Sequence, residues 1–223
     1  EAGAAVVVSS RNQADCDKAA EMIASSTGGT ALGIAADIST KEGVEGLVNA
    51  MIEKLGHIDI LVNSAGVNIR KPAIEYTVED WDKVQDVQLK GVFLACQAVG
   101  KHMIEKGIHG KIINISSINA RVVARPNIVS YVAAKGAVMQ MTKALAVEWA
   151  QYGICVNAVA PGYVLTDMTK DVMADEKNVA AVTRMISLRR YAQPIEIANV
   201  ITFLASPAGG YVTGVLIPVD GGM

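Results

Sequence analysis

Short apolar runs alternate along this chain with longer stretches whose apolar residues recur at helical spacing. AAVVVSS from Ala4, TALGIAA from Thr30 to Ala36, IDILVN from Ile58 to Asn63, KIINIS from Lys111 to Ser116, CVNAVA from Cys155 and VLIPVD from Val215 to Asp220 are runs of this kind. All six read as strands of a parallel sheet, AAVVVSS and IDILVN as buried ones. Helices are expected between them: from about Gln13 to Ser26, broken by Gly28-Gly29; from Ser39-Thr40-Lys41-Glu42 to about Leu55; and from Thr77-Asp80 to about Lys106. Another runs through Tyr131 until Gly153, and Pro194 opens the last, which reaches about Ser206. At the second of these Ser39 is expected to accept from the first turn while Glu42 reaches back, a capping box. Proline suits a first turn, where its missing N–H is not needed. Alternating strands and helices predict an α/β fold: a doubly wound, Rossmann-like parallel sheet in three layers with right-handed crossovers. No repeat or linker divides residues 1–223, so they read as one domain.

The helix through Tyr131 is apolar on two sides. Ala134, Val138, Met141, Leu145 and Trp149 make one stripe, and Ala133, Ala137, Ala144 and Val147 another. One side is expected against the sheet and the other against a second copy, giving a homo-oligomer, a dimer or a tetramer.

Composition narrows the class. The 223 residues carry a net charge of −2, and the 20 Lys and Arg are scattered, which argues against nucleic-acid or membrane-surface partners and for a small molecule. Neither an apolar run of 18 residues nor a basic-then-apolar leader occurs, so a cytoplasmic protein is expected. Cys16, Cys96 and Cys155 form no CxxC pair and read as reduced, buried thiols. The sequon at Asn114 lies in an apolar strand and is discounted. His57, His102 and His109 show no metal spacing and read as surface or loop residues; no metal site is expected.

One stretch carries chemistry. In SYVAAKGAV, Ser130 to Val138, Tyr131 and Lys135 are four residues apart and share a helix face. A nearby cation favours ionisation of a phenol, which ordinarily titrates near 10; bringing that to neutrality takes about 4 kcal/mol. The spacing alone also fits an ordinary surface helix.

Four further segments change that. NSAG (Asn63 to Gly66), ISS (Ile115 to Ser117), VNAVAPGYVLTDM (Val156 to Met168) and VDGGM (Val219 to Met223), together with YVAAK, resemble the ordered motifs of single-domain short-chain dehydrogenase/reductases almost end to end. The resemblance implies Tyr131 as general acid/base, Lys135 as its activator and anchor of the nicotinamide ribose, and Ser117 as the hydroxyl that orients the substrate carbonyl. In this family an asparagine occupies the site matched by Gln88, within VQDVQLKGVF. Glutamine has the same amide one methylene further out, so Gln88→Asn is expected to be tolerated or beneficial.

The resemblance also assigns cofactor contacts. Asn63, Ala65 and Gly66 support the adenosine side, Asp37 and Ile38 meet the adenine, and Pro161, Gly162, Val164 and Thr166 carry the chain under the nicotinamide and its carboxamide. After the first strand stand Ser10 and Arg11 with no acid; a carboxylate there suits NAD, whereas arginine accommodates a 2′-phosphate, so NADP is favoured over NAD. Residues 164–190 are expected to form the substrate lid, with Met168, Met173 and Met185 adaptable or packing and Arg184, Arg189 and Arg190 more structural than anion-binding.

No glycine-rich phosphate loop occurs in these residues, and EAGAAVVV resembles the end of a first helix. The expectation is a sheet lacking its first strand and first helix, with roughly 25–30 residues preceding. The expected activity is an oxidoreductase interconverting a secondary alcohol and a ketone with NADP(H). The alternative is a catalytically silent relative serving as a structural or regulatory subunit. A serine hydrolase is rejected, because the chain has no GxSxG elbow.

Overall fold

In the computed structural model of the chain, residues 2–166, 169 and 174–223 are described. Six strands are parallel throughout: β1 (Val6–Ser10), β2 (Ala31–Ala35), β3 (Ile60–Asn63), β4 (Lys111–Ile115), β5 (Cys155–Pro161) and β6 (Leu216–Val219). They form a two-stranded sheet, β1-β2, and a four-stranded sheet, β3-β4-β5-β6. Each predicted run contains its strand except the fifth, where β5 extends one residue beyond CVNAVA to Pro161.

Helices α1 (Gln13–Thr27), α2 (Lys41–Leu55), α3 (Val78–Gln85), α4 (Gly91–Lys106), α5 (Val129–Trp149), α6 (Glu176–Met185) and α7 (Pro194–Ala205) connect the strands. Asn12 caps α1 by accepting from the Ala14 and Asp15 N–H groups, and Gly28 closes it at φ 69°. The cap of α2 differs from expectation. Thr40, not Ser39, accepts from the Gly43 N–H, and the Ser39 hydroxyl donates instead to Asp37 at 2.7 Å. At α3 a capping box is formed by Thr77 and Asp80.

Alternate positions of β4 and β5 feed two cores. Ile112 and Val156 pack with Val99 and Met103 of α4 and Val138, Leu145 and Trp149 of α5. Ile113 and Val159 point the other way, against Ile197 and Leu204 of α7. Helices therefore cover both faces, which is the three-layer arrangement the apolar runs predict. The close approach of α4 and α5 depends on Gly100, where an added Cβ would lie 2.7 Å from the Trp149 ring.

Three expectations are corrected. The β1 and β3 runs are not fully buried: each pairs on one edge alone, and Ile60 and Val62 are 36% and 40% exposed. The helix expected from Thr77 to Lys106 is interrupted by a π-helical turn, Asp86–Lys90, closed by the Gly91 N–H bonding Asp86 O. His102 is no surface residue: it lies buried on α4 with Nε2 unpartnered among the described residues. None of the described helices is long and apolar enough to cross a membrane.

Candidate active site

Parallel strands place all their carboxyl ends on one edge, and the candidate residues leave the sheets there. Ser10 ends β1, Asp37 follows β2, Asn63 ends β3, Ser117 follows β4 and Pro161 ends β5.

Ser117 leaves β4 with extended backbone, and its hydroxyl accepts from the Asn119 N–H at 3.1 Å and from Asn119 Nδ2 at 3.2 Å. It lies near enough to the Tyr131 phenol to lower its pKa. Its neighbour Ser116 is structural, donating to the Lys135 carbonyl at 3.0 Å. Tyr131 stands in the first turn of α5, which Gln85 steadies by donating from Nε2 to the Ser130 carbonyl and hydroxyl at 2.9 and 3.0 Å. One turn on, Lys135 is 4% exposed; its ammonium donates to Ile115 O at 2.7 Å and lies 5.7 Å from the Tyr131 ring centroid. The structure thus brings Ser117, Tyr131 and Lys135 together.

The electrostatics differ from the simplest reading of that spacing. Burial pushes the Tyr131 phenol above its usual value, against the Ser117 hydrogen bond and the charge of Arg70, which both lower it. Burial lowers the Lys135 ammonium to about 8. A buried cation with one carbonyl acceptor is poorly compensated, and two of its N–H groups are left to bind other oxygens. Arg70, in the loop after β3, adds positive charge that lowers the phenol, and the sequence reading did not single it out.

Gln88 is fully buried in the π-helical turn, a feature frequent at functional sites. Its Nε2 donates to the Val67 carbonyl, while Oε1 has no partner among the described residues and lies 3.3 Å from where a Gly66 Cβ would be. The extra methylene is used to grip the Ala65–Val67 loop. Shortening Gln88 to Asn would withdraw that bond.

Asn63 turns into the protein, donating to Asn114 Oδ1 at 2.8 Å; Asn114 in turn donates to Thr142 at 3.0 Å. Ala65 and Gly66 are exposed in the loop beyond it. At the far end of the edge, Arg11 lies exposed beside Asp37, whose carboxylate is held below its usual range by the Ser39 hydrogen bonds first and by the Arg11 charge last. Ile38 packs over the start of α4, where a Cβ on Gly91 would stand 2.5 Å from its carbonyl oxygen.

Beyond β5, Gly162 is pressed against Asp220, its Cβ position 2.8 Å from Asp220 Cα. Val164 bridges to Ala192, and Thr166 N–H donates to Thr169 at 3.0 Å. Asp167, Met168 and Met173 of the expected lid lie outside the described residues. Arg190 forms a two-armed pair with Glu196 at 2.6 and 2.7 Å, and Arg189 donates to the Arg184 carbonyl. Both pairings are structural. Among the described residues no group of three His, Cys, Asp or Glu could hold a metal ion. A cleft of about 550 Å³ between α2 and α4, lined by Val44, Leu94 and His102, is separate from the Ser117–Tyr131 group.

The chain is similar to known proteins over most of its length. The family described as Enoyl-(Acyl carrier protein) reductase matches residues 1–223. The 2-dehydro-3-deoxy-D-gluconate 5-dehydrogenase of Escherichia coli (strain K12) is 42% identical over 191 residues, 86% of this chain and 75% of that protein. Gluconate 5-dehydrogenase of Gluconobacter oxydans (strain 621H) is 37% identical over 226 residues, 99% of this chain and 85% of the relative. The crystal structure of a gluconate 5-dehydrogenase from Burkholderia cenocepacia J2315 in complex with NADP and tartrate superposes with a TM-score of 0.93 at 37% identity, covering 99% of this chain and 85% of that one.

Proposed function

The chain belongs to the short-chain dehydrogenase/reductase family, and from that membership we propose how its residues work. It is an NADP-dependent oxidoreductase that interconverts a secondary alcohol and a ketone. One observation carries the reading of the site: the buried Lys135 ammonium lies 5.7 Å from the Tyr131 ring centroid, with the Ser117 hydroxyl near enough to lower that phenol. The relatives lend no support to a catalytically silent subunit.

The residues present fit such a cofactor at both ends. Lys135 has two ammonium N–H groups to spare beneath Tyr131, which suits a ribose diol, and Arg11 stands exposed at the end of β1, which suits a 2′-phosphate. Ala65 and Gly66 line the adenosine side with Asp37 and Ile38. Pro161, Gly162, Val164 and Thr166 hold the carboxamide side. Bound there, the nicotinamide supplies or accepts the hydride.

The chain's own groups handle the proton. In reduction, Ser117 donates a hydrogen bond to the ketone oxygen and Tyr131 delivers its phenolic proton to that oxygen. In oxidation, the same phenol takes the alcohol proton. Lys135 holds positive charge beneath the phenol while this happens, and Arg70 adds a second cation. Gln88 positions the Gly66–Val67 loop, and its free Oε1 is available to order a water.

Val147 is 81% exposed on α5 beside exposed Ala133 and Ala144, an apolar face that suits a second copy, so the assembly is a homo-oligomer, a dimer or tetramer. Three buried free thiols suit a reducing cytoplasm. The direct test is loss of NADPH absorbance over a panel of ketones that begins with keto sugar acids, because two relatives are named for gluconate substrates. Turnover with NADPH is expected; no NADPH binding and no turnover on any ketone would overturn the reading.

A further inference from the structure

Four polar side chains from four elements meet inside the core, and Asn114, Cys96 and Thr142 among them have no part in the scheme above. Asn63 ends β3, Asn114 is its register partner on β4, Cys96 comes from α4 and Thr142 from α5. All four are buried, Asn114 and Cys96 completely. Asn63 Nδ2 donates to Asn114 Oδ1 at 2.8 Å and to Cys96 Sγ at 3.3 Å, and the Cys96 thiol donates to Asn114 Oδ1 at 3.5 Å. Asn114 Nδ2 donates to Thr142 Oγ1 at 3.0 Å, and the Thr142 hydroxyl donates onward to the Val138 carbonyl at 2.8 Å. Burial pushes the Cys96 thiol up to about 12, so it stays a neutral donor.

Stability alone does not call for such a cluster. Cys96 belongs to the apolar core of Val92, Val99, Val138 and Leu145, and apolar side chains of like volume would fill the same space without polar groups that must win back their lost hydration. A fully satisfied polar network provides geometry instead: its bonds are directional, and its members hold one arrangement. That arrangement spans the two parts of the reaction scheme. On one side, β3 leads from Asn63 into the Ala65–Val67 loop, whose Val67 carbonyl accepts from Gln88. On the other, α5 carries Tyr131 and Lys135. Three consecutive residues of β4 grip α5 at two levels. Ile115 O accepts from Lys135 Nζ at 2.7 Å and Ser116 Oγ donates to the Lys135 carbonyl at 3.0 Å, while Asn114 reaches Thr142. Thr142 is seven residues beyond Lys135, which is two turns, or about 10 Å along the axis. A single level leaves a helix free to tilt; the second removes that freedom.

Resting on the oxidoreductase reading above, we propose that Asn114 is a positioning residue for the reaction: bonded to Asn63 on one side and Thr142 on the other, it sets the spacing between the loop after β3 and the Tyr131–Lys135 face of α5. A carboxamide suits this place because its oxygen accepts from the β3 side while its nitrogen donates to the α5 side, so one planar group of fixed size joins both. An ionised aspartate lacks the donor, and leucine lacks both. Cys96 ties the same oxygen to α4, the helix that continues from the turn of Gln88.

Asn114→Leu puts the fold itself at risk, so the test is made at Thr142. Valine keeps the shape of threonine without its hydroxyl, and serine keeps the hydroxyl without the methyl. Ketone reduction by the full chain at saturating NADPH gives kcat and the ketone KM, fluorescence titration gives NADPH affinity, and melting temperature shows that each variant is folded. Thr142→Val is expected to lower kcat of the folded enzyme by about 5- to 50-fold, the scale of a misplacement of up to about 1 Å at the reacting groups. NADPH affinity, set on the Asn63 side of the network, stays within about twofold. Thr142→Ser stays within about threefold of wild type in kcat, although it leaves the packing defect. Wild-type kcat in folded Thr142→Val overturns the proposal, and so does an equal loss in Thr142→Ser, which would assign the effect to packing. A wild-type chain that reduces no ketone rejects the oxidoreductase reading, and the network is then judged by amide hydrogen exchange. There Thr142→Val is expected to speed exchange in the first two turns of α5 at least about tenfold relative to α4, and an unchanged ratio overturns the proposal.

Discussion

Lys135 donates its ammonium to the Ile115 carbonyl at 2.7 Å, a bond that ties the catalytic face of α5 to the end of β4 one residue before the Ser116-Ser117 pair. The same contact explains why the cation is depressed: one neutral carbonyl replaces the water that a charge needs.

Stability therefore carries a pH signature from this residue. Its folded value of about 8 lies below the unfolded 10.5, so between them the unfolded chain holds a proton that the folded chain has released. Stability from Lys135 rises with pH through that window, on the order of 3 kcal/mol in all. Above about 10 the Tyr131 phenol, raised by burial, keeps its proton longer than the unfolded chain and opposes the rise. Urea unfolding of wild type and Lys135→Met from pH 7.5 to 10 is the measurement; parallel curves for the two would refute the linkage.

Tyr131→Phe removes the proton carrier and leaves its ring in place. Turnover is expected to fall by about 10²- to 10⁴-fold. NADPH affinity, measured by fluorescence titration, should change by less than about threefold, since the Lys135 donors remain. Wild-type turnover in this variant would remove Tyr131 from the mechanism.

Gln88→Asn shortens a fully buried side chain and breaks its bond to Val67 O. A loss of about 1–3 kcal/mol in stability follows from the unsatisfied groups, together with a higher KM for NADPH as the Gly66–Val67 loop loosens. Calorimetry and steady-state kinetics check the two effects. Unchanged values for both would return Gln88 to equivalence with asparagine.

Arg11→Ala should weaken NADPH by roughly 10- to 100-fold, the worth of a charge-assisted pair, and leave NADH within about twofold. Its neighbour Asp37 would then repel a 2′-phosphate unopposed. Titration of both cofactors at one fixed salt concentration decides it, and equal losses on both would show that Arg11 does not read the phosphate.

Gly100→Ala places a Cβ 2.7 Å from the Trp149 ring, which cannot retreat within the core shared by α4 and α5. About 1–3 kcal/mol of destabilisation is expected. A melting temperature unchanged by differential scanning calorimetry would mean that the two helices part without penalty.

The strands, the helix order and the Ser117, Tyr131 and Lys135 group were legible because each rests on local pattern: runs of β-branched residues, a four-residue helical spacing, and turns following strands. Arg70 was not, since it sits in a loop with no periodicity and acquires its effect from Tyr131, far along the chain. The interruption before α4 escaped for a different reason. A π-helical turn keeps the helical pattern on either side, so the sequence from Val78 to Lys106 reads as continuous.

Sequence by itself determined the alternation of strand and helix, the phenol and amine on one face, and the family. Tertiary structure decided which groups are satisfied. Burial depresses Lys135, leaves the Tyr191 hydroxyl and Arg125 Nη1 open, turns Asn63 inward and gives the Arg190 charge to Glu196. Hydrogen-bond satisfaction and desolvation depend on every atom within a few ångströms, most of which come from distant parts of the chain, so no local pattern encodes them.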